Sequence, residues 1–163
     1  MRWSATPYAW LSPLPFLFVG ALVALLRHSG AGGTAWLAEG ARDGLLLFLS
    51  NAAHSVGHVI AGGLVGAPNG AVVVTATFHV NSHRCEKGRC SRWTHIGRSL
   101  GGPVANLVVG MAALAAYRAA GGAGLLFLAQ ANLIIAGFLA LPIRTVDGWV
   151  IWGELLGFRR RTA

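Results

Sequence analysis

Four stretches of this chain contain no Asp, Glu, Lys or Arg: 8–26, 44–66, 99–117 and 121–143. Each is near the roughly 20 residues that a helix needs to cross the ~30 Å hydrocarbon core of a bilayer. In lipid the backbone must satisfy its own hydrogen bonds, so such stretches fold as helices. Pro13 and Pro15 lie early in the first stretch and set its regular helix later in the run. The expected class is an all-α integral membrane protein with about four transmembrane helices, in one domain over 1–163. Only 11% of residues are charged, against about 25% in soluble domains. The N-terminal run is longer than a signal-peptide core and no A-x-A site follows it, so it is expected to be a retained span.

The 67–98 segment has a different texture. A Pro-Asn-Gly signal precedes a β-branched run over 72–77, and "EKGR" reads as a turn between two extended arms. A small β-hairpin is expected over about 71–95, at or near the membrane surface. After the fourth span, "TVDGWVIWGELLGFRRR" reads as a short helix, interfacial or partly inserted.

The formal charge is +8. In a soluble protein that would point to nucleic acid. Here the basic residues lie in loops and at segment ends, where they meet anionic lipid, so membrane lipid is the expected partner and nucleic acid is not. With four spans, ten of the 13 Lys and Arg fall on the side of the termini and the 67–98 loop, and Arg27, Arg42 and Arg118 on the other. The positive-inside rule then places both termini in the cytoplasm, of the cell membrane if the source is bacterial.

Inside the second span stand His54 and His58, four residues apart in "HSVGH". Side chains at that spacing project about 40° apart, one turn along the axis. Two imidazoles can converge there on a tetrahedral ion, or hydrogen-bond across helices as a plain polar patch. The spacing suits haem poorly, since axial ligands approach from opposite faces. An ionisable group inside a bilayer is costly and points to function. Of the five acidic residues, Glu39 and Asp43 lie at the far side and Glu86 at the hairpin tip. Asp147 and Glu154 are left. Asp147 follows a break expected at Pro142 and "RT", where it reads as a ligand, as an ordinary helix N-cap, or as both. His79, His83, Cys85, Cys90 and His95 form a second, non-standard cluster in the hairpin, either a metal site or a solvated basic turn.

"HSVGH" in one span, "GGPVANL" opening the next and "LPIRTVDG" after the last together resemble the site-2 protease family of intramembrane zinc metallopeptidases. That family carries an HExxH helix, a GPxAN-type span and an N-x-x-P-x-x-x-x-D-G segment. The resemblance covers about residues 44–156. It implies Zn²⁺ held by His54, His58 and Asp147. It also implies a substrate-side segment at Gly102, Pro103, Ala105 and Asn106, and a client with a transmembrane segment. No GxSG motif supports the rival rhomboid serine protease.

Three positions depart from the family pattern. Ser55 stands at the catalytic glutamate, Leu139 at the asparagine three residues before Pro142, and Arg144 and Thr145 at common prolines. A serine hydroxyl is far too weak a base to replace the glutamate, and general acid–base catalysis is typically worth about 10²–10⁴-fold. As a nucleophile Ser55 would need its own base, and the adjacent His54 diverges from it by about 100°. The resemblance therefore implies a zinc-binding member with impaired or absent peptide hydrolysis. The alternatives are a non-catalytic pseudoprotease, or a metal-free membrane scaffold, that binds a transmembrane client.

Overall fold

The structure is a computed structural model that describes residues 2–28, 34–75, 79–83 and 90–157. Five α-helices and a small sheet follow in the order β1 (Arg2–Ala5), α1 (Leu14–Arg27), α2 (Ala35–Leu64), β2 (Asn69–Val74), β3 (His79–His83), α3 (Arg92–Ala120), α4 (Ala123–Leu139) and α5 (Asp147–Leu156). A 3-10 turn, Ala9–Leu11, leads into α1, whose entry is set by Pro13 at its N-cap. The segment Ala9–Arg27, α2 and α3 are long and apolar enough to cross a membrane, whereas α4 has 17 residues.

The helices pack in sequence, α1 on α2, α2 on α3 and α3 on α4, with α5 against α3. Glycine permits the two closest crossings. A Cβ on Gly57 or on Gly101 would strike the other residue's carbonyl, and Gly20 lies equally tight against Gly40 and Gly44. Small residues let helix backbones approach where lipid removes the hydrophobic drive between them. Gly121 and Gly122 both take positive φ, 70° and 98°. This lets the chain reverse from α3 into α4 within two residues.

The interior is the reverse of a soluble core. The largest fully buried side chains are Val72, Asn106, Asn132, Asp43 and Ser50, while Phe18, Leu26, Leu64, Val108 and Ile134 are each more than 60% exposed. An apolar exterior of this extent needs lipid. The chain is an integral membrane protein.

Several helices run beyond their apolar stretches. α2 begins at Ala35 rather than near 44. Its first turns keep Glu39, Arg42 and Asp43 because Asp43, fully buried, sits between Arg27 at 3.0 Å and Arg42 at 2.7 Å, and Glu39 meets Arg27 and His28. α3 begins at Arg92, so the expected hairpin is narrower than 71–95. The Ser91 hydroxyl accepts the Thr94 N–H at 3.1 Å and starts the helix there.

The sheet also differs from a bare hairpin. β2 pairs antiparallel with β3, and β1 adds a third strand parallel to β2. The reversal between the antiparallel arms falls between Val74 and His79, where the β-branched run ends, and not at "EKGR". Residues 84–89, which include that tetrapeptide and Cys85, lie outside the described residues. Cys90 is disulfide-bonded, so its sulfur is not a free metal ligand.

Candidate metal centre

α2 is amphipathic in an inverted sense. Ser50, His54, Gly57, His58 and Ala61 follow the i, i+4, i+7, i+8, i+11 spacing of one helix face. That face turns inward on α3 and α4, where its polar groups find partners. The His54 ring fits only because residue 102 is glycine, since a Cβ there would collide with the ring. α3 contains a second local device, Pro103. Proline donates no N–H to the Ser99 carbonyl and loosens the turn. The neighbouring carbonyl of Arg98 receives Nδ1 of His58 at 2.9 Å.

Asp147 reaches the pair from the opposite side. α4 ends at Leu139, and residues 140–146 form an unwound link through Pro142. Thr145 within it has φ 83°, a costly left-handed conformation for a β-branched residue. Asp147 is the first residue of α5, and the N-cap is Val146 in extended conformation without a side-chain cap bond. The N-cap alternative for Asp147 is thereby corrected: its carboxylate faces the histidines. Gly148 follows because a Cβ there would overlap the Leu141 and Ala140 backbone, and the Trp152 indole N–H donates to the Ala140 carbonyl at 2.8 Å. Both contacts fasten α5 to the end of α4.

The three side chains meet at one point. His54 Nε2 lies 3.0 Å from His58 Nε2, His54 Nε2 lies 3.2 Å from Asp147 Oδ2, and His58 Nε2 lies 3.3 Å from Asp147 Oδ1. One donor atom from each residue lies within 4.8 Å of the others. A tetrahedral zinc with bonds of about 2.0–2.1 Å spaces its ligands by about 3.3 Å. The Arg98 carbonyl can only accept, so His58 Nδ1 carries a proton, and in the neutral ring its Nε2 presents the lone pair. Two imidazoles and one carboxylate, with a fourth position open, form the donor set of catalytic zinc sites. The residues present fit zinc. The group is half-buried, with side-chain exposures of 15%, 13% and 20% for His54, His58 and Asp147.

The remaining expected residues are placed as follows. Ser55 is buried, and its hydroxyl donates to the Asn51 carbonyl at 3.1 Å, back into its own helix. Asn106 is fully buried, with Oδ1 2.8 Å from His54 Nδ1. Ala105 lies against the Gly57 crossing. A cavity of about 180 Å³ opens beside His54 and Asn106, walled by Phe16, Leu47, Ile135 and Leu139 with Asn51 among them. Two further polar residues stand behind the site, Ser50 and Asn132, which no motif marks. Asn106 Nδ2 donates to Asn132 Oδ1 at 2.9 Å, and Asn132 Nδ2 donates to Ser50 Oγ at 2.8 Å. The available signal is an asparagine in the apolar run "LAQANLIIAG" of the fourth stretch, where a buried amide needs a partner.

The fold has a solved counterpart. The chain is similar in structure to a "Site-2 Protease from Methanocaldococcus jannaschii", with a TM-score of 0.59 and 19% sequence identity. The similarity covers 89% of this chain and 66% of that protein, so the chain spans just under two thirds of its length. The architecture is site-2 protease-like. No protein-family model matches the chain, and no curated protein matches it.

Proposed function

We propose that this chain is a membrane-embedded, zinc-binding protein of site-2 protease architecture whose peptide hydrolysis is impaired or absent. The convergence of His54, His58 and Asp147 carries the reading. His54 and His58 supply neutral imidazole nitrogens, and Asp147 supplies the anionic ligand. Bound zinc would act as a Lewis acid and lower the pKa of a coordinated water to about 7. The chain's own residues offer that water no carboxylate base at position 55. The Ser55 hydroxyl is turned to the Asn51 carbonyl, which favours the non-catalytic form of the reading: a pseudoprotease that binds the transmembrane segment of a client. His54 and Asn106 border the nearby cavity, whose walls are otherwise mainly apolar, as suits a lipid-soluble segment. In this reading both termini are cytoplasmic and four crossings are made.

One experiment separates the alternatives. Protein purified in detergent is assayed for zinc content and for cleavage of a transmembrane model substrate, as wild type, His58→Ala and Ser55→Glu. The expected result is about one zinc in wild type, loss in His58→Ala, and cleavage that appears or rises by about 10²-fold or more only in Ser55→Glu. Zinc absent from wild type would leave the metal-free scaffold. Equal cleavage by wild type and Ser55→Glu would show that another group is the base.

A further inference from the structure

The hydrogen bonds behind His54 have only one consistent direction. Backbone carbonyls anchor the relay at Ser50 and at Asn132, away from His54, and a carbonyl can only accept. Ser50 Oγ lies 2.7 Å from the Leu46 carbonyl, so its hydroxyl proton points there and its oxygen must accept from Asn132. Asn132 Nδ2 also meets the Leu128 carbonyl at 2.9 Å. Both protons of that amide are then used, which fixes the amide's orientation and leaves Oδ1 toward Asn106. Oδ1 can only accept, so Asn106 presents Nδ2 to Asn132 and Oδ1 to His54. The Asn106 Oδ1 atom in turn requires a proton on His54 Nδ1.

Asn106 and Asn132 are fully buried and Ser50 nearly so, at 1% exposure. Water is excluded from reversing the order. Three helices contribute: Ser50 from α2, Asn106 from α3 and Asn132 from α4. Of the three, Asn106 hydrogen-bonds the triad, through His54.

The geometry points to Asn132 and Ser50 as positioning residues that act through Asn106 to fix His54 in its Nδ1–H tautomer. His54 Nε2 then holds a bare lone pair, as His58 Nε2 does through the Arg98 carbonyl. With both rings neutral, two lone pairs face one another 3.0 Å apart beside a carboxylate, an arrangement that favours a cation between them. The relay thus shapes the pocket for a divalent ion before one arrives. Its meaning for function rests on the zinc reading, but the tautomer itself is a property of the metal-free chain.

The test reads both. Metal-free protein with nitrogen-15-labelled histidine is studied in micelles at mildly alkaline pH, where nitrogen shifts distinguish Nδ1–H from Nε2–H. His54 is assigned by the signal lost in His54→Gln. Wild type is expected to show the Nδ1–H form alone. Asn132→Leu is expected to introduce the Nε2–H form and weaken Co²⁺ binding, read from its visible absorption, by about 10–100-fold, the usual loss when an outer partner of a metal-bound histidine is removed. Ser50→Ala should shift both readouts less, because the Leu128 carbonyl still holds Asn132, and Ser50→Thr should restore them. Should Asn132→Leu not fold, the Ser50 pair carries the test. An unchanged tautomer in the folded variants, or an Nε2–H form in wild type, overturns the proposal. A tautomer that responds as expected in a wild type that binds no Co²⁺ supports the relay and removes the zinc reading.

Discussion

At the scale of single residues, the site depends as much on missing side chains as on present ones. Gly102 is the clearest case. Its absent Cβ is the space that the His54 ring occupies. Gly102→Ala is expected to displace the ring and reduce zinc affinity by at least about tenfold, as the loss of a supporting contact does elsewhere. Gly63→Ala is the control. A Cβ there meets nothing within 4 Å, and the helix should gain up to about 1 kcal/mol. Zinc titration and thermal unfolding of the two variants check both outcomes, and equal affinities would remove the packing role of Gly102. His54, His58 and Asp147 were legible as a candidate set because ionisable groups are rare in such apolar surroundings. The use of Asn106 was not. A sequence reading takes an asparagine beside an active site as a lining residue. Only the packing of α3 against α2 and α4 turns it into a buried link between His54 and Asn132. Ser50 and Asn132 are hidden in the sequence for the same reason. Their partners lie 82 residues apart along the chain and appear in no local pattern.

At the scale of elements, the instructive feature is the interruption between α4 and α5. Pro142 marks it in the sequence, but the positive φ of Thr145 and the way α5 is fastened are tertiary facts. Helix boundaries at the polar ends were equally hidden. Hydropathy stops where charge begins, whereas α2 continues through Glu39, Arg42 and Asp43 because those charges neutralise one another and Arg27. The third strand was hidden too, since β1 joins β2 from some 70 residues away and has no turn to announce it. The orientation of α5 governs the site because Asp147 is its first residue. Gly148→Ala would press a Cβ into the Leu141 and Ala140 backbone and push the start of α5 away from α4. The expected outcome is a protein that retains His54 and His58 in place yet binds zinc as weakly as Asp147→Ala. Side-by-side zinc titrations of the two variants check this. Wild-type affinity in Gly148→Ala would mean that the link yields without moving the carboxylate.

At the scale of the whole molecule, the question is how many times the chain crosses. α4, at 17 residues, is about 26 Å long, short of a full hydrocarbon core. It starts beside the end of α3 and runs back along it, so it stops near the depth of Gly102 and His54. His58 lies six residues before the end of α2, about 9 Å from it. The site is therefore nearer the side that bears the sheet. α5 then packs on α3 rather than returning along α4 among the described residues. In the proposed four-crossing reading the last crossing is shared by two helices, with Asp147 at the break, an arrangement in which unwound backbone is tolerated at membrane depth when protein surrounds it. Arg27 and Arg42, two of the three basic residues assigned to the far side, are paired with Glu39 and Asp43. In the same reading ten of the 13 Lys and Arg fall on the sheet side, which the positive-inside rule would place in the cytoplasm. Reporter proteins that fluoresce only in the cytoplasm, fused at either terminus, should both be bright. The same reporter inserted at the Gly121–Gly122 reversal should be dark. A bright N-terminal fusion with a dark C-terminal one would mean that α4 and α5 do not complete a crossing, and the shared-crossing account of Asp147 would fall with it.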